Sequence, residues 1–256
     1  MIRTARRVLY SLTKMDAVAD AARLGPIVSS KTVPFPTHVP LHGLSTSLVP
    51  LTPDHAPSLF KHMGGPENDA LWSYLPTEGF ADLQKTTDIV TSFSKSKDPL
   101  YWAILSGPAS EQASEAVGFI SVLNIVPEHR RVEIGWVAFS PVLQRTRRAT
   151  ESIHLLMVHA FDTLGYERVE WKANALNAAS LGAARRLGYV YEGTFRKHIV
   201  FKGRRRDTAW FSLTDEEWPP VNQGFQAWLA ASNFDAEGKQ IKGLKEMREE
   251  IAARAG

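Results

Sequence analysis

Cysteine is absent from the 256-residue chain, which excludes disulfides, cysteine-ligated zinc and a cysteine nucleophile at once. No apolar run approaches the ~18 residues that a membrane-spanning helix needs, so no membrane partner is expected. The eight histidines form no His-Glu-x-x-His pattern. His154 and His159 fall on different faces of one helical stretch, so no metal is expected. There is no internal repeat. A large surplus of one charge is also lacking: 30 basic and 27 acidic side chains leave +3, and much of that excess sits in residues 145–148 and Arg204-Arg-Arg206. Such clusters suit a nucleic-acid binder or a protein that takes a polyanionic small molecule. What is present is ordinary for a globular chain, with 44% hydrophobic and 22% charged residues, which disfavours disorder. The length permits one substantial core with tails.

The most informative stretch begins with the apolar strand Val132–Phe139 and continues from Pro141 into a helix. Ile153, Leu156, Met157, Ala160, Phe161 and Leu164 recur there at i, i+3, i+4 spacing. Arg145, Arg147 and Arg148 stand at the start of this helix, where the free N–H groups already make the terminus partly positive. Cations are misplaced there unless an anion arrives, and a phosphate held by the amides and flanked by guanidinium groups would satisfy both. The competing account is that the long arginines extend into water and bind nothing.

Along the chain, residues 1–14 carry Arg3, Arg6, Arg7 and Lys14 without an acid, which is the composition of a mitochondrial transit peptide. The competing accounts are a short basic amphipathic extension, or an over-called start codon with Met15 as a second start. Residues 25–44 are rich in Pro and Ser and read as an extended arm. Strands are expected at 45–51, 101–105, 116–126, 132–139 and 168–173, then a hairpin of 189–202 and 207–213 turned at Gly203. Helices are expected from Pro53 to about Gly64, from 81 to 95, and from 177 to 187 with Gly188 as its cap. The helix between strands four and five makes that pair parallel. After Trp218-Pro-Pro220, two polar helices at 222–231 and 238–254 are expected. The narrow stripe Leu244, Met247, Ile251 is enough to dock on a neighbour. That neighbour is either the same domain or a second subunit, which leaves a homodimer open.

The segment Gln144-Arg-Thr-Arg-Arg-Ala149 resembles the Gln/Arg-x-x-Gly-x-Gly/Ala pyrophosphate loop of the GNAT N-acetyltransferases. Asn177-Ala-Ala-Ser180, Arg186-Leu-Gly-Tyr189 and Glu192-Gly-Thr-Phe-Arg196 are similar to motifs of the branch that contains the RimJ/RimL-like ribosomal-protein N-terminal acetyltransferases. The resemblance covers roughly residues 45–218. It implies an α/β GNAT fold: a mixed, mostly antiparallel sheet of about seven strands flanked by helices, with a splayed parallel pair at strands four and five. It divides the chain into an arm (1–44), the acetyltransferase domain (45–218) and a C-terminal helical extension (219–256). It also implies direct transfer of acetyl from acetyl-CoA to a primary amine, on a protein N-terminus or a small molecule, in the cytoplasm unless the basic N-terminus directs the chain to mitochondria. A noncatalytic CoA sensor or nucleic-acid binder is the contrasting reading, with nucleic acid disfavoured.

By the same resemblance, Gln144, Arg145, Thr146, Arg147, Arg148 and Ala149 would hold the pyrophosphate. The backbone of Val137, Ala138 and Phe139 would pair with the pantetheine arm, and Asn177 and Ser180 would meet its amide and thioester ends. Glu133, on the strand face opposite Val132, Ile134 and Trp136, is the candidate base; a salt bridge with Arg131 or Arg168 is the alternative. Trp72 and Tyr74, beside Glu67, Asp69, Glu78 and Asp82, would form one wall of the acceptor site, unless Trp72 simply plugs the core edge. Two departures stand out. Arg147 replaces the loop's usual Gly, where a side chain narrows the approach to phosphate unless it folds over the phosphates itself. Ala184 occupies the place of the usual Tyr acid, leaving Ser180, a water or no acid to protonate the thiolate.

Overall fold

Eight strands form one sheet in the computed structural model, which describes residues 25–108, 110–111 and 114–255. The basic N-terminal stretch lies outside them. The strands are β1 (Leu41–His42), β2 (Ser47–Pro50), β3 (Leu100–Leu105), β4 (Ala116–Val126), β5 (Arg131–Phe139), β6 (Arg168–Asn174), β7 (Val190–Phe201) and β8 (Arg204–Thr214). Their order is β1-β2-β3-β4-β5-β6-β8-β7, and β5–β6 is the single parallel pair. The eighth strand is β1, two residues of the Pro-rich arm that pair with β2 and are too short to leave a periodic signal.

Among the described residues six α-helices flank the sheet: α1 (Ala56–Met63), α2 (Leu83–Ser94), α3 (Arg147–Val158), α4 (Ala178–Leu187), α5 (Trp218–Leu229) and α6 (Leu244–Ala255). Their ends follow local chemistry. Asp82 caps α2 by accepting from the Lys85 amide at 2.8 Å. Gly188, at φ +108°, closes α4 in the left-handed conformation that a side chain would resist. The β7–β8 turn places Lys202 and Gly203 both at positive φ, the two-residue geometry that matches strand twist.

The sheet buries two apolar clusters. On one face Val132, Ile134, Val169, Trp171, Phe211 and Leu213 pack with Ile153, Leu156, Leu187 and Phe225 from α3, α4 and α5. On the other, Leu59, Met63 and Val90 from α1 and α2 meet Tyr101, Phe119 and Ala138. Over β6 and β8 this second face is polar instead, carrying Glu170, Lys172, Thr208 and Trp210.

Val33–Gly256 form one compact unit, and the boundaries expected at 44/45 and 218/219 cut through it. Val33 is buried in the larger cluster, and the Trp102 indole donates to the Val39 carbonyl at 2.8 Å. At the other end, Trp218, Phe225, Trp228, Leu229 and Leu244 belong to the same cluster. His154 on α3 contacts Asn222 at 2.7 Å and stacks on Phe225 at 4.7 Å, with burial lowering its pKa. The C-terminal helices therefore dock on their own domain.

Glu151 of α3 ties the arm to this frame. It is buried, and it accepts from the amides of Leu44 at 2.6 Å and Ser45 at 2.8 Å and from the Ser45 hydroxyl. Glu151→Gln keeps the shape but loses one acceptor oxygen, and should cost about 1–2 kcal/mol in chemical unfolding. A cost near zero would mean that the arm is held without it.

Candidate active site

β5 and β6 pair only from Arg131–Glu133 against Arg168–Glu170. Past that point β6 stays with β8 as far as Asn174, while β5 runs on to Phe139 along β4. A fork opens, and along its β5 side the main chain from Ile134 to Phe139 has no β6 partner. Unpaired amides on a strand edge call for an outside partner.

Within that edge lies a bulge. Phe119 pairs with Ala138 and Ser121 with Gly135, so Trp136 and Val137 together oppose Ile120. Trp136 takes a left-handed φ of 48°, a conformation that costs a non-glycine residue about 1–2 kcal/mol. Its ring is held between Phe93 at 5.2 Å and Tyr101 at 5.7 Å. The bulge also breaks the strand's alternation. Val132, Ile134, Val137 and Phe139 face α3, whereas Trp136 and Ala138 face α1 and α2. Trp136 therefore shares a face with Glu133, contrary to the strict alternation expected from sequence.

Glu133 stands at the apex of the fork, 5% exposed. Its Oε2 accepts from Lys172 at 2.6 Å and Asn124 at 2.7 Å, while Oε1 lies 3.6 Å from where a Gly135 side chain would begin. Neither expected arginine is its partner. Arg131 and Arg168 pair with Glu170, at 3.5 Å and 2.9 Å, and Lys172 also lies 2.7 Å from Glu170. Burial works against the Glu170 charge, yet hydrogen bonds from Lys172 and Arg168 hold its carboxyl below the usual range. Asn124, Glu170 and Lys172 were not anticipated. The signal for two of them was the alternation Arg168, Glu170, Lys172 against Val169, Trp171, Ala173, which puts three charges on the face of Glu133.

The mouth of the fork meets the start of α3. Thr146 is the N-cap, its hydroxyl accepting from the Ala149 amide at 3.2 Å and donating to the Leu143 carbonyl at 2.6 Å. The amides of Arg147 and Arg148 have no hydrogen-bond partner among the described residues. Gln144 is spent on the Phe139 carbonyl at 2.9 Å. Arg145 precedes the helix, exposed and at φ 61°, so it lies outside the first turn where it was expected. Arg148 donates through Nε to the Ser45 carbonyl at 3.2 Å, leaving its terminal nitrogens toward solvent. Arg147 departs most from expectation. Its guanidinium does not fold over the loop but turns to the C-terminal segment, donating to the Leu229 carbonyl and lying 4.8 Å from the Phe234 ring. Its side chain is therefore clear of the approach to the loop amides, which fits a diphosphate held by main chain.

On β6 and α4, Asn177 caps the helix by accepting from the Ser180 amide at 3.1 Å, so its amide NH₂ is free to donate elsewhere. The Ser180 hydroxyl accepts from the Trp171 indole at 3.0 Å, which fixes its oxygen and leaves its proton available. Ala184 is fully buried. Tyr189 does not stand in for the missing tyrosine: burial and the nearby Glu133 charge raise its pKa, which makes it a poor acid.

The acceptor wall divides. Trp72 is core: it is 3% exposed, lies 4.4 Å from Phe80 and donates to the Met63 carbonyl, so its side chain does not line the fork. Tyr74 is at the surface and spans to the loop before Asn177, donating to the Leu176 carbonyl at 3.1 Å.

A mostly antiparallel sheet opened by one splayed parallel pair, with a helix N-terminus at the opening, offers main-chain donors to an extended ligand that carries negative charge. Residues 46–190 match the model of the acetyltransferase (GNAT) domain, and the chain belongs to the GNAT family. A GCN5-related N-acetyltransferase from Brucella melitensis is 36% identical in a superposition that covers 86% of this chain and 99% of that one, with a TM-score of 0.82. The N-acetyltransferase YoaA of Bacillus subtilis (strain 168) is 25% identical over 149 residues, 57% of this chain and 81% of its own. From the same organism, YdaF, described as a ribosomal N-acetyltransferase, is 30% identical over 102 residues, 40% of this chain and 55% of its own. The likeness to YdaF agrees with the RimJ/RimL-like motifs. Among the described residues no helix is long and apolar enough to cross a membrane, and no group of three or more His, Asp or Glu could hold a metal ion.

Proposed function

We propose that the protein transfers acetyl from acetyl-CoA directly to a primary amine, on a protein N-terminus or a small molecule. The observation that carries this is the coincidence of two sets of unspent main-chain donors, the free edge of β5 and the first-turn amides of α3. The edge suits the amide-bearing pantetheine arm, and the helix start suits its diphosphate. Asn177 would donate to that arm, and an amide near the bulge would face the thioester oxygen as negative charge develops on it.

The chemistry then falls to few side chains. A neutral amine attacks the thioester carbon, the C–N bond forms, and collapse of the tetrahedral intermediate breaks the C–S bond. Glu133 Oε1 takes the proton that the amine must lose. Ser180, with its oxygen anchored by Trp171, offers its hydrogen to the departing sulfur. The test is CoA release by purified protein across an amine panel, together with CoA binding. Arg148→Ala should weaken CoA binding about tenfold, through loss of a charge-assisted contact. If no amine releases CoA while nucleic acid binds with a steep salt dependence, the binding-module reading replaces this one.

A further inference from the structure

The tip of the β7–β8 hairpin is a strongly charged segment that the proposed chemistry leaves unused. From Arg196 to Arg206 it carries six cations, Arg196, Lys197, Lys202, Arg204, Arg205 and Arg206, and no acid. The whole chain is only +3, so without these six it would be −3. All but Arg206 are exposed. Among the described residues Arg205 alone of the six forms an ion pair, with Asp207 at 2.8 Å. Like charges concentrated without counter-charges repel one another, and that cost is recovered when an anion docks.

Two contacts place this tip on the acceptor side of the fork. Lys202 donates to the Trp72 carbonyl at 2.8 Å, two residues before Tyr74, which reaches over to Leu176. Behind the tip, a row of side chains on the polar half of the sheet leads back to the apex. Arg206 and His198 both contact the Thr208 hydroxyl at 3.1 Å. Trp210, two residues further along β8, carries the Lys172 ammonium 4.3 Å above its ring, and Lys172 reaches Glu133. The facing segment is of opposite sign, with Glu67, Asp69, Glu78 and Asp82 all exposed. An acceptor lying in this cleft meets negative charge at the reacting end and along one wall, and positive charge at the hairpin.

We infer that the acceptor is a polypeptide whose free α-amino group is followed, within its first few residues, by acidic side chains that the hairpin tip holds. The inference rests on the acetyltransferase reading and narrows its substrate. A polyamine, or an amine in a basic peptide, brings a second cation against the tip, where like charge is repelled.

The test uses the full chain and two fluorescent peptides with free N-termini, one with Asp and Glu after the first residue and one with Lys and Arg. Binding is read by anisotropy in the presence of CoA, and turnover by CoA release. At low ionic strength the acidic peptide should bind tighter and show about tenfold or greater kcat/KM, an advantage that shrinks as salt rises. The double reversal Lys197→Glu with Arg204→Glu should bring that preference to about twofold or less, with CoA affinity and the rate with a small monoamine unchanged. Equal binding of the two peptides, a preference untouched by the reversal, or tighter binding of an RNA oligonucleotide than of the acidic peptide overturns the inference. If no amine at all is turned over, the transferase reading fails, and the anisotropy comparison still decides whether the tip selects acidic segments.

Discussion

Lys172→Met is expected to destabilise the protein by about 3–5 kcal/mol, because it strands charge that is already out of water. The ammonium bridges two buried carboxylates, Glu133 at 2.6 Å and Glu170 at 2.7 Å, which stand opposite each other in the parallel register. With Lys172 gone, Glu170 keeps Arg168 but Glu133 keeps only the neutral Asn124 amide. For a domain of this size the melting temperature should fall by about 6–20 °C. The pH dependence separates this account from simple loss of packing. In the native protein the Glu170 pKa is depressed, so its contribution is present above the usual glutamate value and is lost as pH falls through the folded one. In the variant Glu170 has lost the Lys172 hydrogen bond and keeps only part of that contribution, so the wild type has more stability to lose in acid. The stability gap between the two should therefore be constant near neutrality and narrow as pH falls below the usual glutamate value. A gap that stays constant through that acid range would show that Lys172 acts through the packing of its stem and not through its charge.

The contrast between this cluster and the rest of the molecule explains what could be read from sequence. Elements held by local rules were legible: the strand Ala116–Val126, the helix stop at Gly188 and the turn at Gly203 each rest on periodicity or on one residue's conformational freedom. The helix start that follows β5 was legible as a motif, since a helix start next to a strand end is a local arrangement. Features set by tertiary context were not. The bulge has no compositional mark, because its left-handed position is filled by Trp136 instead of Gly or Asn and is held by Phe93 and Tyr101 from other elements. The Arg147 side chain was assigned by motif to the loop, and its partners Leu229 and Phe234 lie far along the chain. Trp72 could have faced either way, and Phe80 and Phe119 take it into the core. Glu133 was placed correctly at the start of its strand, but its partner was not, because a lysine in a neighbouring strand competes with two arginines that are closer in sequence or register.

Glu133→Gln should lower turnover by about 10²–10⁴-fold while leaving CoA affinity nearly unchanged. The asymmetry follows from where the two oxygens point. Oε2 is committed to Lys172 and Asn124, and a glutamine oxygen there can still accept, so the apex of the fork keeps its shape. Oε1 is the atom on the side of Gly135, next to the bulge, and an amide nitrogen in its place cannot take the proton that the amine must lose. A purely structural role for Glu133 makes a different forecast. Glu170→Gln removes an equal charge from the same lysine without altering the oxygen that faces the fork, so the two variants would then lose activity alike. If instead Glu170→Gln retains most of the turnover while Glu133→Gln loses it, the proton passes through Glu133. Equal losses in both variants, or undiminished turnover in Glu133→Gln, would move that step to a water or to the substrate's own deprotonation before binding.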